Sequence, residues 1–404
     1  MKVEKKSQLE FIALMAALMS IVALSIDAVL PALPRIGDYL SVSNSLDNPK
    51  LITSIFLGLG FGQLFLGPLS DSFGRKTVVY FGLGIFIIAS IICVSTKSFE
   101  IMLLGRVLQG IGLAAPRTMA IAIVRDTYSG DYMSKIISIV VMVFILVPII
   151  APTLGQFLMQ HFGWKSIFNF NLIFGIAVVI WFFLRQEETL KAAYQKSFRL
   201  SIYKTGIRNF FKIRTAVIYT LLSGLITGSF MVYLSTSQRI FEQQYNLAEE
   251  FPTIFASLAI SVGIATFLNS QLVVRFGTKA IVHVAILSFI FISTLFLFLY
   301  HSNTNPPVEI LILFFALQFF CIGFLFGNLR SLAMEPIGHM AGIGSALNGF
   351  ISTVMAVPIA DYIGLFVTDS VQPLFIGFTI CGFISLVLFY SLSPRFKLRY
   401  QKGQ

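Results

Sequence analysis

Asp27 and Arg106 each interrupt an apolar run long enough to cross a membrane. A charge at that depth is costly and marks function by default. At a rise of ~1.5 Å per residue, Asp27 lies ~10 Å and Arg106 ~9 Å from the ends of their runs, toward the same side of the membrane. Equal depth predicts a facing pair, direct or bridged by water. The chemistry on offer is proton exchange: burial draws a carboxyl group toward its neutral form and a nearby cation draws it back. A change of surroundings then changes its proton occupancy. The competing reading is a static salt bridge, but buried ion pairs are poor stabilisers by themselves, which favours coupling.

Other polar residues offer less specific chemistry. Asp361 follows Pro358 near the end of a later run, as a second coupling acid or an interfacial charge. Arg117 would bind an anionic substrate group or snorkel to the interface. Arg330 and Glu335, at the mouth of another run, read equally as a gate or as solvated charges. One run is crowded with Ser223, Thr227, Ser229, Tyr233, Ser235, Thr236, Ser237 and Gln238. Among Phe, Met and Ile these would line an amphiphilic cavity. Gln109, Arg117, Thr227, Tyr233, Asn328 and Asn348 are the candidate cavity residues.

Catalysis has little support. Gly58-Leu59-Gly60-Phe61-Gly62 is spaced like a dinucleotide loop, but it lies in an apolar run with no strand before it and reads as helix packing. No P-loop is present, which argues against ATP-driven transport. Ser345 has no histidine placed to serve it, since His283 and His339 flank other helix ends. Cys93, Cys321 and Cys381 fall in apolar stretches without metal or disulfide spacing. No metal, cofactor or enzymatic role is expected.

These residues are positioned by an unusually apolar chain. Of 404 residues, 56% are hydrophobic and 12% charged, against about 25% charged in an ordinary soluble domain. A soluble fold of this size cannot hide so much apolar surface. The net charge of +11 would suggest nucleic acid as a partner on a soluble protein; here the basic residues cluster between apolar runs, so no nucleic acid is expected. A helix needs about 20 apolar residues to cross the hydrocarbon core. Twelve such spans lie near 9–33, 51–69, 77–95, 100–123, 135–160, 166–185, 212–238, 252–274, 280–300, 308–334, 341–366 and 371–391. The first run, interrupted by Asp27 and followed by Pro31 and Pro34, reads as an uncleaved span rather than a signal peptide.

With the N-terminus placed in the cytoplasm, 22 Lys and Arg fall on the cytoplasmic side and five (Arg35, Lys50, Lys97, Lys165 and Arg239) on the other. Acidic residues outside the spans split evenly, as the positive-inside rule allows. Both termini are therefore expected in the cytoplasm. Phe73-Gly74-Arg75-Lys76 after span two is echoed 203 residues later by Phe276-Gly277-Thr278-Lys279 after span eight. The expectation is two halves, 1–185 and 212–404, joined by a linker at 186–211 with an interfacial helix near Ile202–Phe211. Parallel repeats of this kind are a transporter architecture with the substrate site between the halves.

Gly67-Pro68-Leu69-Ser70-Asp71-Ser72-Phe73-Gly74-Arg75-Lys76 resembles the signature of the major facilitator superfamily. The resemblance implies a cytoplasmic latch of Gly67, Asp71, Gly74, Arg75 and Lys76, with Asp71 paired to Arg75 near a helix N-terminus. Gly67 and Gly74 would permit a tight turn and close helix approach. Leu103-Leu104-Gly105-Arg106-Val107-Leu108-Gln109-Gly110-Ile111-Gly112 looks like the drug:proton antiporter branch. Val124-Arg125-Asp126-Thr127-Tyr128, Asp27-Ala28-Val29-Leu30-Pro31-Ala32-Leu33-Pro34, Met334-Glu335-Pro336 and Ala341-Gly342 narrow it to the Bcr/CflA family of bacterial inner-membrane efflux transporters. Pro148, Pro152 and Gly155 stand in the antiporter segment of span five. There Ala151-Pro152-Thr153-Leu154-Gly155-Gln156 departs from the usual Gly-Pro-x-x-Gly-Gly by two glycines.

The expectation is an all-α polytopic membrane protein of twelve transmembrane helices in two pseudo-symmetric six-helix bundles, the major facilitator fold. It would be a proton-coupled secondary transporter exporting small amphiphilic compounds by alternating access, with Asp27, Arg106 and Asp361 in proton coupling. Its partners would be a small-molecule substrate, protons and the bilayer, and it would act as a monomer in the bacterial inner membrane. A carrier of one metabolite or siderophore is the alternative. A non-transporting receptor would be expected to append a soluble domain, for which no stretch has the length.

Overall fold

A computed structural model describes residues 7–190, 195, 200–301 and 305–392. The helices are α1 (Gln8–Asp27), α2 (Leu33–Tyr39), α3 (Lys50–Phe73), α4 (Arg75–Ser95), α5 (Phe99–Thr127), α6 (Gly130–Phe162) and α7 (Lys165–Arg185), then α8 (Leu200–Lys212), α9 (Arg214–Gln238), α10 (Phe251–Phe276), α11 (Thr278–Leu299), α12 (Val308–Met334), α13 (Ala341–Gly364) and α14 (Gln372–Ser391). Twelve segments among them are long and apolar enough to cross a membrane, and the described residues contain no strand. A chain this apolar satisfies its backbone internally, and helices do so without a partner strand. The basic N- and C-terminal tails used in the topology argument, and the side chain of His339, lie outside the described residues.

Local chemistry sets the helix ends. The Ser7 hydroxyl accepts from the Glu10 amide at 3.1 Å to start α1. Gly74 (φ 94°) ends α3 and begins α4, and Gly277 (φ 80°) does the same between α10 and α11. Only a glycine adopts this backbone without strain, so the repeated Phe-Gly element makes the same turn twice.

Helices α1 and α3 to α7 pack mainly on one another, as do α9 to α14, and the two sets meet through α3 against α13 and α6 against α10. In the first set, α3 and α5 cross with their backbones almost touching. A Cβ on Gly62 would stand 2.7 Å from the Ile111 carbonyl oxygen, and one on Gly110 at 2.7 Å from the Leu59 amide nitrogen. Van der Waals contact between small residues drives association where lipid removes the hydrophobic incentive. The glycine run Gly58 to Gly62 is thus helix packing, as its apolar context suggests. Glu10 at the start of α1 accepts from Arg185 at the end of α7, at 2.6 and 2.7 Å, tying the first and last helices of this set.

The second set packs through phenylalanine. Phe296 and Phe375 stack with centroids 3.7 Å apart, and Phe315 joins Phe375 at 5.4 Å. The linker helix α8 buries Phe210 against Ile337 and Leu347 and leaves Phe211 exposed. It therefore docks on the α13 end of the second set as well as presenting an apolar edge outward.

Candidate functional site

The latch is a built cluster at the end of the bundle that carries Gly74. Arg75 donates through Nη1 to Asp71 Oδ1 (2.6 Å) and Ser70 Oγ (2.5 Å), and through Nε to Asp126 Oδ2 (3.0 Å). The second Asp71 oxygen, Oδ2, lies 3.6 Å from where a Cβ on Gly342 would stand, in the first turn of α13. A helix N-terminus favours a carboxylate, so Asp71 links the two sets at this end. Gly74 provides the turn. Gly67 does not serve a close helix approach: nothing described lies within 4 Å of its Cβ direction, and its carbonyl accepts from Ser70 Oγ at 2.6 Å. The Lys76 ammonium lies over the Tyr80 and Phe183 rings at 5.8 and 5.5 Å.

Two acids in this cluster were not picked out for it from sequence. Asp126 belongs to the Arg-Asp-x-Tyr segment and accepts from Thr189 Oγ1 (3.1 Å) as well as Arg75. Glu188 accepts from the Arg75 and Lys76 amides, both at 3.0 Å, satisfying the open first turn of α4. Only the Asp126 contact had a signal, the charged motif at a span end; nothing local in sequence directs Glu188 to a helix 112 residues away.

Asp27 and Arg106 are both buried, 6% and 0% exposed, but no ion pair joins them among the described residues. Of the two forms expected, direct or bridged by water, the direct ion pair is not made among the described residues. Arg106 donates to backbone and amide oxygens instead: Nε to Leu51 O (2.9 Å), Nη1 to Ser25 O (3.0 Å) and to Gln109 Oε1 (2.9 Å). Its guanidinium lies over Phe168 at 5.7 Å. Ser25 Oγ donates to Ile21 O, which leaves the Ser25 carbonyl, near the end of α1, to receive the arginine. Equal depth did bring Arg106 to the correct turn of α1. The backbone carbonyl took the contact because it is itself a polar group in need of a partner.

Asp27 ends α1, where the chain breaks into a 3-10 turn, Leu30–Ala32, and then α2. Gly155 of α6 crosses α1 next to it: a Cβ there would stand 2.7 Å from the Ala28 carbonyl carbon. Pro152 and Pro148 lie about one and two turns earlier in the same helix. The segment thus seats α6 against the end of α1 that carries the buried acid.

Asp361 is half-buried and lies beside Thr53 and Lys50 of α3. It is therefore a contact between the two sets, at the end opposite the latch. Arg239 reinforces that end, donating from the close of α9 to Gly364 O (3.4 Å) and Val367 O (3.1 Å), and across to Ser45 O (3.1 Å). Gln156 reaches Ala248 O at 3.4 Å there.

The cavity candidates divide. Gln109 is fully committed, accepting from Arg106 and donating to Ser90 Oγ at 2.9 Å, so its carboxamide does not line a cavity. Tyr233, 1% exposed, is enclosed by Phe255, Phe315 and Phe319 and is also a core residue. Asn328 pairs with Asn269 (2.6 Å), and Asn348 donates to Thr220 Oγ1 (2.8 Å); both are buried. Thr227 and Arg117 are half-buried. Arg330 is exposed and donates to Ser345 Oγ at 3.1 Å, while Glu335 is exposed and makes no ion pair with it. Arg330 thus bridges α12 to α13 at the mouth where it and Glu335 were expected as a gate or as solvated charges. Among the described residues there is no group of acids, histidines and cysteines suited to a metal.

Comparison with known proteins agrees with this architecture. The family model described as Major Facilitator Superfamily matches residues 15–360. An uncharacterized MFS-type transporter, YdgK of Bacillus subtilis, is 28% identical over 372 residues, covering 91% of each chain. The bicyclomycin resistance protein homolog of Haemophilus influenzae is 26% identical over 97% of this chain and 98% of its own. Multidrug resistance protein MdtL of Shigella dysenteriae is 29% identical over 94% of both. The crystal structure of the human organic anion transporter MFSD10 superposes with a TM-score of 0.68 at 16% identity, over 96% of this chain and all of that one. At that identity the likeness concerns the fold. The motif-based resemblance to the bicyclomycin-resistance type of transporter therefore stands on whole-chain similarity as well.

Proposed function

The chain belongs to the Major Facilitator Superfamily, and from that premise we propose that it is a proton-driven exporter of small amphiphilic compounds in the bacterial inner membrane, working by alternating access. The latch end faces the cytoplasm, with both termini, in keeping with the Lys and Arg distribution. The halves 1–185 and 212–404 rock against each other along the α3–α13 and α6–α10 seams. Export of drug-like compounds is supported by relatives named for bicyclomycin and multidrug resistance.

One observation carries proton coupling: Asp27 is a buried carboxyl group with no ion pair among the described residues, at the point where α1 breaks and α6 crosses it. Burial favours the neutral form of a carboxyl group and water favours the ionised one. A group whose access to water alternates therefore loads a proton on one side and releases it on the other. Arg106, held by backbone carbonyls, fixes the α1–α3–α5 contact around it. Asp361 and Asp71 hold the two ends of the α3–α13 seam, so opening either end requires one of them to let go.

The test is transport by purified protein in proteoliposomes with an imposed pH gradient and a panel of neutral, cationic and anionic amphiphiles. Uphill movement of a panel member that collapses on adding an uncoupler is expected. Accumulation that persists without the proton gradient would discard the mechanism.

A further inference from the structure

The linker helix α8 carries basic residues on a side that the fold leaves uncovered. From 191 to 214 the sequence holds seven Lys and Arg and no Asp or Glu. Three of them, Lys204, Arg208 and Lys212, recur at every fourth residue of α8. At about 3.6 residues per turn they drift only about 40° per step and so share one face. All three are exposed, and none makes an ion pair among the described residues.

The opposite face is taken up by protein. A Cβ on Gly206 would stand 2.7 Å from Ile343 Cδ1 of α13, and Phe210 is buried with Ile337 and Leu347. By the same periodicity Gly206 and Phe210 lie across the helix from the basic stripe. These contacts also fix the level of α8. Ile343 is in the first turn of the spanning helix α13, and α8 ends at Lys212, two residues before the spanning helix α9 begins at Arg214. Its middle and its end are thus both held where spans enter the membrane, at the depth of the headgroups.

Phe211 completes the pattern. It neighbours Arg208 three residues earlier on the helix surface and is 57% exposed. A basic stripe turned to open water would leave that ring in water as well. Against a bilayer the ring enters the acyl boundary, and the long basic side chains keep their charged ends among the headgroups.

We infer that the Lys204–Arg208–Lys212 face of α8 is a docking surface for anionic phospholipid headgroups, with Phe211 seated beside them in the acyl boundary. Charge complementarity identifies the occupant. An acid-free basic stripe at headgroup level matches lipids of net negative charge, and each Lys or Arg near such a surface strengthens the attraction about fivefold. The inference requires that the chain spans a membrane; it is independent of whether the protein transports anything.

The experiment uses the full chain carrying Phe211→Trp, in phosphatidylcholine nanodiscs with a minority of brominated phosphatidylglycerol or, in the matched sample, brominated phosphatidylcholine. Quenching of the added tryptophan is read as the increment over the parent chain, whose two tryptophans are the background. Phosphatidylglycerol is expected to associate at least about fivefold more strongly, the effect of one basic residue at an anionic surface. Added salt should shrink that preference, an arm that needs no change to the stripe. Combining Lys204→Gln, Arg208→Gln and Lys212→Gln should bring the two lipids close to equal, whereas Lys204→Arg with Lys212→Arg should keep the preference. Equal quenching by the two lipids, a preference that salt leaves intact, or one undiminished in the glutamine variant would overturn the surface. Quenching by neither lipid would place Phe211 outside the bilayer and overturn it in favour of solvent or a soluble acidic partner. Displacement of phosphatidylglycerol by millimolar glycerol phosphate would assign the stripe to a free phosphate ester and overturn the lipid claim.

Discussion

Arg106 reaches the carbonyl oxygen of Ser25 at 3.0 Å and makes no ion pair with Asp27, two residues further along the same chain. The separation assigns the two buried charges different work. The arginine satisfies polar groups of three helices, α1, α3 and α5, and the proposed proton exchange falls to the aspartate alone.

Replacing Arg106 is therefore expected to damage folding first. Arg106→Ala strands the Ser25 and Leu51 carbonyls and the Gln109 amide, each in a buried setting. Each unsatisfied group costs about 1–3 kcal/mol. The variant should show a clear loss of thermal stability in detergent, with Arg106→Lys intermediate, because an ammonium offers donors but not the planar fork. Wild-type stability in the alanine variant would return Arg106 to the proton pathway.

Backbone proximity makes Gly58 intolerant. Its Cβ would stand 2.8 Å from the Val107 carbonyl carbon and 2.9 Å from the Ile111 amide nitrogen, with no flexible side chain to yield. Gly84 has nothing within 4 Å. Gly58→Val should lose at least ~1–3 kcal/mol of stability and give poorly monodisperse protein on size-exclusion chromatography. Gly84→Ala should elute and melt like the wild type. Equal behaviour of the two would remove the packing argument.

What the sequence made legible follows from range. Spans, the Gly74 and Gly277 turns and the depth of Arg106 depend on residues near one another in the chain, and all were readable. Partner choice was not. Arg106 was expected to seek Asp27, yet a carbonyl at the same depth competes with a carboxylate, and apolar run lengths say nothing about which wins. Tyr233 and Gln109 look like cavity residues by type, but aromatic neighbours from α10 and α12 enclose the first and Arg106 and Ser90 consume the second. Glu188 reaches a helix N-terminus more than a hundred residues away, where no periodicity directs it.

Asp71 holds Arg75 with one oxygen and faces the start of α13 with the other. Asp71→Asn keeps the shape and removes the charge that a helix N-terminus favours, a loss of about 0.3–1 kcal/mol near the surface. Small as it is, that term acts on an equilibrium between conformers, where it shifts populations several-fold. Cysteine labelling at positions between α3 and α13 near the latch should speed up in the variant, and labelling at the Thr53–Asp361 end should slow. Unchanged rates at both ends would mean that the latch does not bias the two states.

Asp27 decides whether the protein is proton-driven. Asp27→Asn preserves size and hydrogen bonding but fixes the neutral state. Arg106 keeps its own oxygen partners in this variant, so folding should be retained and thermal stability should stay close to wild type. Substrate binding should persist and lose its pH dependence, because the titrating group is gone. Active transport should fall to background, while downhill exchange of substrate continues, since exchange needs no net proton movement. Asp27→Glu restores a carboxyl group one methylene further out and should recover part of the uphill transport. The measurement is substrate binding against pH on purified wild type and both variants, paired with gradient-driven uptake in proteoliposomes. Uphill transport and a wild-type pH profile in the asparagine variant would move the proton to another acid, and Asp361, half-buried against Thr53, is the next to test.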